Sequence, residues 1–226
     1  MGDQPHYTGH RQRLRERFLR SGNDGLQDYE LLELVLFRAI PRRDVKPLAK
    51  HLIETFGSFA EVISAPVERL REVEGLGEAA VVELKVVQAA ALKLSQARVL
   101  NRPVLRSWAK VVEYCTASMA YGDTEQFRVL FLDHKHTLVA DEVQQKGTVN
   151  HTPVYPREVV KRALDLGASG IVLVHNHPSG DPTPSRADID MTKEIEDAGR
   201  GLKIQLIDHL VIGRGAHVSF RQAGLI

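Results

Sequence analysis

The sequence predicts an α/β domain, with a central sheet flanked by helices, preceded by a small all-α domain. In the first hundred residues, apolar side chains recur at the spacing of amphipathic helices. In the second half, short apolar runs of strand length alternate with helical patterns. Asn101-Arg102-Pro103 breaks the last helical pattern of the first half, so we predict domains at 1–100 and 104–226.

Four helical segments account for most of the first domain. Asp28 is predicted to cap the first and Pro41 to stop it, while Gly57 ends the second and Pro66 opens the third. The fourth and longest follows a tight turn at 74–78. The apolar stripes are, in order, Leu31, Leu32, Val35 and Leu36; Leu48, Leu52, Ile53 and Phe56; Val67, Leu70 and Val73; and Leu84, Val87, Ala91 and Leu94.

The second domain mixes helices and strands. In chain order, we predict a helix capped by Ser107, a hairpin of strands at 127–132 and 137–143, a helix beginning at Pro156, a strand at 171–174, a helix from Ser185 to about 198, and strands near 203–207, 210–213 and 217–220. These elements form the central sheet and its flanking helices.

The charge balance gives no sign of a dedicated nucleic-acid binder. Residues 1–100 carry 15 basic and 14 acidic side chains, and residues 101–226 carry 15 of each. Neither half therefore has the basic excess typical of such proteins. The local exception is a cluster in the first twenty residues, which is either a solvated helix face or a patch for phosphate or a partner: Arg11, Arg13, Arg15, Arg17 and Arg20.

The composition indicates a protein that is neither secreted nor embedded in a membrane. No apolar run approaches the length of a membrane span, and the N-terminus is polar and then basic, without the apolar core of a secretory signal. Cys115 is the single cysteine, so no internal disulfide can form, and its place on an apolar helix stripe predicts a core residue. A reducing, cytoplasmic setting is expected, and oligomeric state is left open.

The most informative stretch is HNHPSGDPTPSRAD, residues 175–188. His175 and His177 follow a buried strand and, being two residues apart, project to the same side of it. The Pro- and Gly-rich segment that follows predicts a loop, after which Ser185 opens a helix with Asp188 in its first turn. Two imidazole nitrogens and one carboxylate oxygen, with room for water, describe an open catalytic zinc site.

Other polar residues in the sequence have simpler interpretations. Ser185 and Asp188 also fit a helix-capping pattern, and this role can coexist with chemistry. His134 and His136 have the same spacing as the motif histidines, but they lie where a hairpin turn is expected. His209, at the start of a predicted strand, either supports the zinc ligands or is a core histidine with a satisfied hydrogen bond.

The pattern His-x-His-Pro followed by Ser-x-x-Asp resembles the JAMM motif of MPN-type zinc proteases, and this version is most similar to the RadC family of bacterial proteins. The resemblance extends over nearly the whole chain. It includes Gly147-Thr148-Val149, Pro156-Arg157-Glu158-Val159, Ile207-Asp208-His209-Leu210 and Val218-Ser219-Phe220-Arg221-Gln222-Ala223-Gly224-Leu225. It implies the MPN/JAMM fold, a cytidine-deaminase-like sheet flanked by helices.

The resemblance also implies an activity and assigns roles. His175, His177 and Asp188 would hold Zn²⁺, and the Ser185 hydroxyl would donate to the oxyanion of the tetrahedral intermediate. Glu142 matches the position of the family's general base, and the neighbouring Asp141 would point to the other face of a regular strand. The expected function is that of a metallopeptidase or isopeptidase-like hydrolase acting on a protein or peptide.

An alternative function follows from the helical domain. Val73-Glu74-Gly75-Leu76-Gly77-Glu78-Ala79-Ala80 resembles the hairpin of helix-hairpin-helix modules, whose exposed main-chain amides can hold a DNA phosphate without reading sequence. Glu74 and Glu78 flank the hairpin and would repel phosphate. In this alternative, in line with the family's traditional description as DNA repair proteins, the helical domain binds DNA and the zinc site is structural or acts as a nuclease.

Overall fold

The fold was obtained as a computed structural model, which describes residues 9–147 and 154–226. Thr148 and Val149 of the sequence analysis lie outside the described residues. The chain separates into two compact units, Met1–Ala91 and Leu92–Ile226. This division falls inside a helix, about ten residues before the predicted break at Asn101-Arg102-Pro103. No helix within the described ranges is both long and apolar enough to cross a membrane.

The first unit is helical, as the apolar stripes predict. Its helices are α1 (His10–Ser21), α2 (Asp28–Ala39), α3 (Lys46–Phe56), α4 (Phe59–Ser64), α5 (Val67–Arg71) and the larger part of α6 (Glu78–Ala97). Most residues of the predicted stripes supply its buried core, together with residues such as Leu14 of α1 and Val62 of α4. The prediction is wrong for Leu94, near the end of α6, which is 68% exposed. Gly57 ends α3 with φ of 112°, a conformation open to glycine at little cost.

The cap of α2 differs from the sequence prediction. Gln27, not Asp28, is the N-cap residue, and it forms a reciprocal capping box with Glu30. The carboxylate of Asp28 instead accepts a hydrogen bond from the backbone N–H of Phe59, 2.8 Å away, at the start of α4. Asp28 therefore joins two helices that are distant in sequence, which a local capping rule cannot anticipate.

The second unit contains a five-stranded mixed sheet. Its strands are β1 (Gln126–Leu132), β2 (Leu138–Lys146), β3 (Gly170–Asn176), β4 (Gln205–Ile212) and β5 (His217–Ser219), in the order β2-β1-β3-β4-β5. Strands β3 and β4 are parallel, and every other neighbouring pair is antiparallel. The unit also contains helices α7 (Trp108–Met119), α8 (Pro156–Asp165) and α9 (Arg186–Arg200).

Helices cover both faces of this sheet. Apolar residues of α7, including the buried Cys115, pack against one face with Leu130, Val172 and Leu210. Residues of α8 and α9 pack against the other face, which carries Phe127 and Leu173. The predicted α/β arrangement, a central sheet flanked by helices, is confirmed.

The two strands predicted near 203–207 and 210–213 are one continuous strand, β4. The sequence analysis places Asp208-His209 at the start of the second of these strands, whereas the pair lies in the middle of β4. Both residues are buried in the strand because their polar atoms find partners. The carboxylate of Asp208 accepts hydrogen bonds from the backbone N–H groups of His209 and Arg221 and from the hydroxyl of Ser219.

Candidate metal centre

The three predicted ligands meet at one end of the sheet. His175 is the second-last residue of β3, His177 immediately follows that strand, and Asp188 is in the first turn of α9. His175 and Asp188 are buried, and His177 is partly exposed. Within the described ranges, these residues are the one group of three histidine, cysteine or acidic side chains close enough to share an ion.

The spacing of the ligand atoms fits a tetrahedral ion. The Nε2 atoms of His175 and His177 are 3.0 Å apart, and they lie 3.3 Å and 3.6 Å, respectively, from the two carboxylate oxygens of Asp188. Two ligands on a tetrahedral zinc ion, with bonds of about 2.0–2.1 Å, lie roughly 3.3 Å apart. The donor set, two imidazoles and a carboxylate, is that of catalytic zinc sites with an open fourth position.

His177 is oriented by the backbone of the loop that follows it. Its Nδ1 is 2.8 Å from the carbonyl oxygen of Asp181. A carbonyl can only accept, so Nδ1 carries the proton and Nε2 faces the other ligands. The Asp188 carboxylate, 3.6 Å from Nε2, raises the pKa of His177 above its usual value despite partial burial, and the charge of Glu125 adds to this increase.

Ser185 caps α9 and holds the carboxylate of Asp188. Its backbone N–H and its hydroxyl donate to the same oxygen, Oδ2, at 2.7 Å and 2.6 Å, while its Oγ accepts from the backbone N–H of Asp188 at 3.2 Å. Burial acts to raise the pKa of Asp188, but the nearby rings of His175 and His177 and the hydrogen bonds from Ser185 outweigh it, and the pKa lies well below its usual range. The carboxylate is therefore charged and fixed, and the proposed oxyanion role of Ser185 stays a prediction.

A third imidazole, His209 of β4, lies directly behind His175. Its Nε2 is 2.8 Å from Nδ1 of His175, and its own Nδ1 is 2.6 Å from the hydroxyl oxygen of Thr192 on α9. The rings of Phe127 and Phe220 pack against it at centroid distances of 5.9 Å and 4.5 Å. Complete burial lowers the pKa of His209 well below its usual value, so the ring is neutral.

Glu142 lies on the same face of the sheet as His175 but is engaged elsewhere. It pairs across β2 and β1 with Val129, which in turn pairs with Leu173 of β3, two residues before His175. Its carboxylate forms a bidentate ion pair with Arg162 of α8, at 2.8 Å and 2.5 Å. The Arg162 hydrogen bonds lower the pKa of Glu142, which weakens it as a base.

Asp141 points away from Glu142, as expected for neighbours on a strand. Its carboxylate pairs with Arg128 at 2.7 Å and accepts a hydrogen bond from the hydroxyl of Tyr114 on α7. Asp141 therefore belongs to the face that α7 covers, opposite the face that carries His175.

The charge of a further carboxylate, that of Glu125, acts on the ring of His177 and raises its pKa. Phe127 of β1 is the direct antiparallel partner of His175, and their rings stack 6.3 Å apart. Glu125 and His177 each lie two residues beyond this last paired position, at the same end of the sheet. The backbone carbonyl of Glu125 still accepts from the N–H of Gly147, 2.9 Å away, so the sheet holds this residue in place.

The remaining sequence candidates lie away from this centre. His134 and His136 occupy the turn between β1 and β2, at the opposite end of the sheet, where His136 has φ of 56°. They are turn residues, as predicted. The N–H of His136 donates to the carbonyl of Asp133 at 2.9 Å and so helps to close the turn.

The basic cluster and the hairpin of the first unit are largely engaged within that unit. The guanidinium of Arg11 donates to three backbone carbonyls at and beyond the end of α2, those of Phe37, Ile40 and Arg43. Arg17 pairs with Glu30 of α2. In the hairpin, Glu78 pairs with Arg71 at 2.8 Å. DNA binding by this unit stays a prediction, for which salt-dependent affinity for generic duplex is the measurement.

A mixed sheet flanked by helices, with His-x-His at the end of a strand and an aspartate in the first turn of the next helix, defines a JAB domain of the JAMM/MPN type. This class is usually hydrolytic and often binds zinc. Residues 105–225 match the family described as RadC-like JAB domain, and residues 7–82 match UPF0758 N-terminal. The chain belongs to the RadC family.

Two relatives illustrate how far the similarity extends. A UPF0758 protein of Rhodobacter capsulatus is 62% identical over 213 residues, which cover 94% of this chain and 100% of the relative. A UPF0758 protein of Ruegeria pomeroyi is 58% identical over 217 residues, covering 96% of this chain and 97% of the relative. Both units of the chain are therefore shared with these relatives.

Proposed function

We propose that the protein is a zinc-dependent metallopeptidase or isopeptidase-like hydrolase that cleaves amide bonds in a protein or peptide. The observation that carries this proposal is the convergence of His175, His177 and Asp188, whose ligand atoms all lie within 4.8 Å of one another. The usual hydrolytic activity of JAB domains adds support. A nuclease often needs two metal ions, and the described residues offer ligands for one.

Each residue of the centre has a distinct task in this reaction. His175, His177 and Asp188 would hold Zn²⁺, which in such sites polarises a carbonyl and lowers the pKa of water towards about 7. A nearby carboxylate takes the proton of the attacking water and delivers it to the leaving amine, as the new C–O bond forms and the C–N bond breaks. Ser185 is the proposed donor to the oxyanion.

Two glutamates compete for the role of general base. Glu142 was assigned on the family resemblance, but its carboxylate is engaged by Arg162. Glu125 lies two residues before Phe127, the strand partner of His175, and its charge acts on the ring of His177. We therefore assign the base to Glu125, because a base must lie within reach of the water whose proton it takes.

Turnover of amide substrates tests the proposal directly. Zinc-loaded protein should cleave members of a panel of peptides and lysine-linked isopeptides, lose this activity on chelation and regain it when zinc returns. His175→Ala should be inactive on the same panel. Full activity of His175→Ala would refute the assignment, and cleavage of phosphodiesters in place of amides would favour the nuclease alternative.

Zinc affinity should depend on pH through His177. Zinc binds the deprotonated ring, so affinity is expected to be constant above the pKa of His177 and to fall about tenfold per pH unit below it. Because Asp188 raises that pKa, the fall should begin at a higher pH than the roughly 6.5 of an unperturbed histidine. Competition titrations against a chelator of known proton dependence measure this, and a pH-independent affinity between 5 and 8 would contradict it.

A further inference from the structure

A continuous chain of hydrogen bonds runs from the backbone of one metal ligand to the ring of another. It passes from the carbonyl of Asp188 to the hydroxyl of Thr192, then to His209 and finally to His175. The three contacts measure 2.5, 2.6 and 2.8 Å. Thr192 and His209 are fully buried, so water does not compete for these groups.

The first link sets the direction of every proton in the chain. A carbonyl oxygen accepts and never donates, so the single hydroxyl proton of Thr192 points to Asp188. The lone pairs of the Thr192 oxygen then face Nδ1 of His209, which must carry a proton to make its contact. The His209 ring is fully buried against Phe127 and Phe220, where a charged imidazolium would be costly, so it carries one proton and its other nitrogen, Nε2, is an acceptor.

The last link reaches the metal ligand. Because Nε2 of His209 accepts, the contact at 2.8 Å requires a proton on Nδ1 of His175. With its ring proton on Nδ1, His175 can present a lone pair at Nε2, the atom 3.0 Å from Nε2 of His177 and 3.3 Å from the Asp188 carboxylate. That is the atom which the zinc site requires to be unprotonated.

We propose that Thr192 and His209 are positioning residues that lock His175 in the Nδ1–H tautomer, with its Nε2 lone pair directed at the metal. This proposal rests on the proposed zinc site. His177 obtains the same tautomer from a backbone carbonyl, that of Asp181. The ring of His175 contacts a side chain, His209, in place of a carbonyl, and His209 in turn contacts Thr192. A substitution at Thr192 should therefore change zinc affinity although Thr192 is not a ligand.

The tautomer can be read in the metal-free protein. Long-range ¹H–¹⁵N correlation spectra of ¹⁵N-histidine-labelled full-length protein distinguish protonated from unprotonated ring nitrogens. We expect a proton on Nδ1 of both His175 and His209 and no proton on Nε2 of His209. An unprotonated Nδ1 at His175, or a protonated Nε2 at His209, in the wild-type protein would overturn the proposal, even if every variant failed to fold and whether or not zinc binds.

Zinc affinity supplies the second readout. Thr192→Val removes the hydroxyl at nearly constant volume and should weaken zinc binding about 10–100-fold, the usual cost of losing a hydrogen-bond partner behind a ligand. Thr192→Ser keeps the hydroxyl and should bind like the wild type. His209→Gln, which retains an acceptor near the position of Nε2, should bind more tightly than His209→Leu.

Three outcomes separate this proposal from its alternatives. If Thr192→Val folds and binds zinc within twofold of wild type, the chain of hydrogen bonds does not position His175. If Thr192→Val and Thr192→Ser lose affinity equally, the threonine acts through packing alone, which also overturns the proposal. If wild-type protein binds no zinc while the tautomers are as expected, the proposed function fails and the assignment of the tautomers stands.

Discussion

Replacing Asp188 with asparagine is expected to abolish zinc binding and amide hydrolysis together. The substitution keeps the shape of the side chain but removes the charge that is 3.3 Å and 3.6 Å from the two histidines. Ser185 donates two hydrogen bonds to Oδ2. The amide will therefore present its oxygen to Ser185 and turn its NH₂ group towards Nε2 of His175, where it occupies the lone pair that the metal needs.

Zinc affinity of the Asp188→Asn protein should fall by more than the roughly 10–100-fold that loss of a partner behind a ligand costs. Asp190→Asn is the matched control, because Asp190 is on the same helix but exposed and paired with Arg186. It should keep both zinc and turnover. Zinc content after dialysis and a chelator titration provide the measurements, and Asp188→Asn protein that retains full zinc would remove the carboxylate from the ligand set.

The ligand set could be predicted from the sequence because its geometry is mostly local. The i, i+2 spacing of His175 and His177 at the end of an apolar run determines that both rings face one side of a strand. Ser185 starts the next helix and determines where Asp188 points. Local rules do not predict that Asp188 comes close to the two histidines, because this depends on α9 packing against β4.

The partners of the ligands were less accessible to sequence reasoning, because they come from distant segments. His209 could be flagged only as either supporting or structural, and Thr192 not at all, since nothing local distinguishes it from other helical threonines. Their contacts require β3 and β4 to pair in parallel with the register that sets Leu173 beside His209. For the same reason, a local capping rule assigns Asp28 to α2, whereas its carboxylate accepts a hydrogen bond from the first residue of α4.

The choice between Glu142 and Glu125 depends on strand register for the same reason. Sequence spacing alone offers several carboxylates before the histidine motif, and the family resemblance selected Glu142. The antiparallel pairing of β1 with β3 aligns Phe127 with His175, which brings Glu125 and His177, each two residues beyond this pair, to the same end of the sheet. The only sequence signal for Glu125 is that it precedes Phe127 by two residues. This spacing becomes informative only once Phe127 is known to pair with His175.

Glu125→Gln is expected to reduce turnover about 10²–10⁴-fold, the usual contribution of a general base, while leaving zinc bound. The amide keeps the size of the side chain but cannot take a proton from water. Removing the negative charge should also lower the pKa of His177, because Glu125 contributes to raising it. The pH at which zinc affinity begins to fall should therefore move down in this variant, an effect that a purely structural role for Glu125 does not produce.

Glu142→Gln is the matched comparison, since it makes the same chemical change on the neighbouring strand. It should retain turnover within a few fold and lose the ion pair with the partly exposed Arg162, with a loss of stability of about 0.2–1 kcal/mol. Initial rates, zinc content and urea unfolding of both variants decide the matter. If Glu142→Gln is inactive with zinc bound and Glu125→Gln is active, the base is Glu142, and the Arg162 pair must open during catalysis.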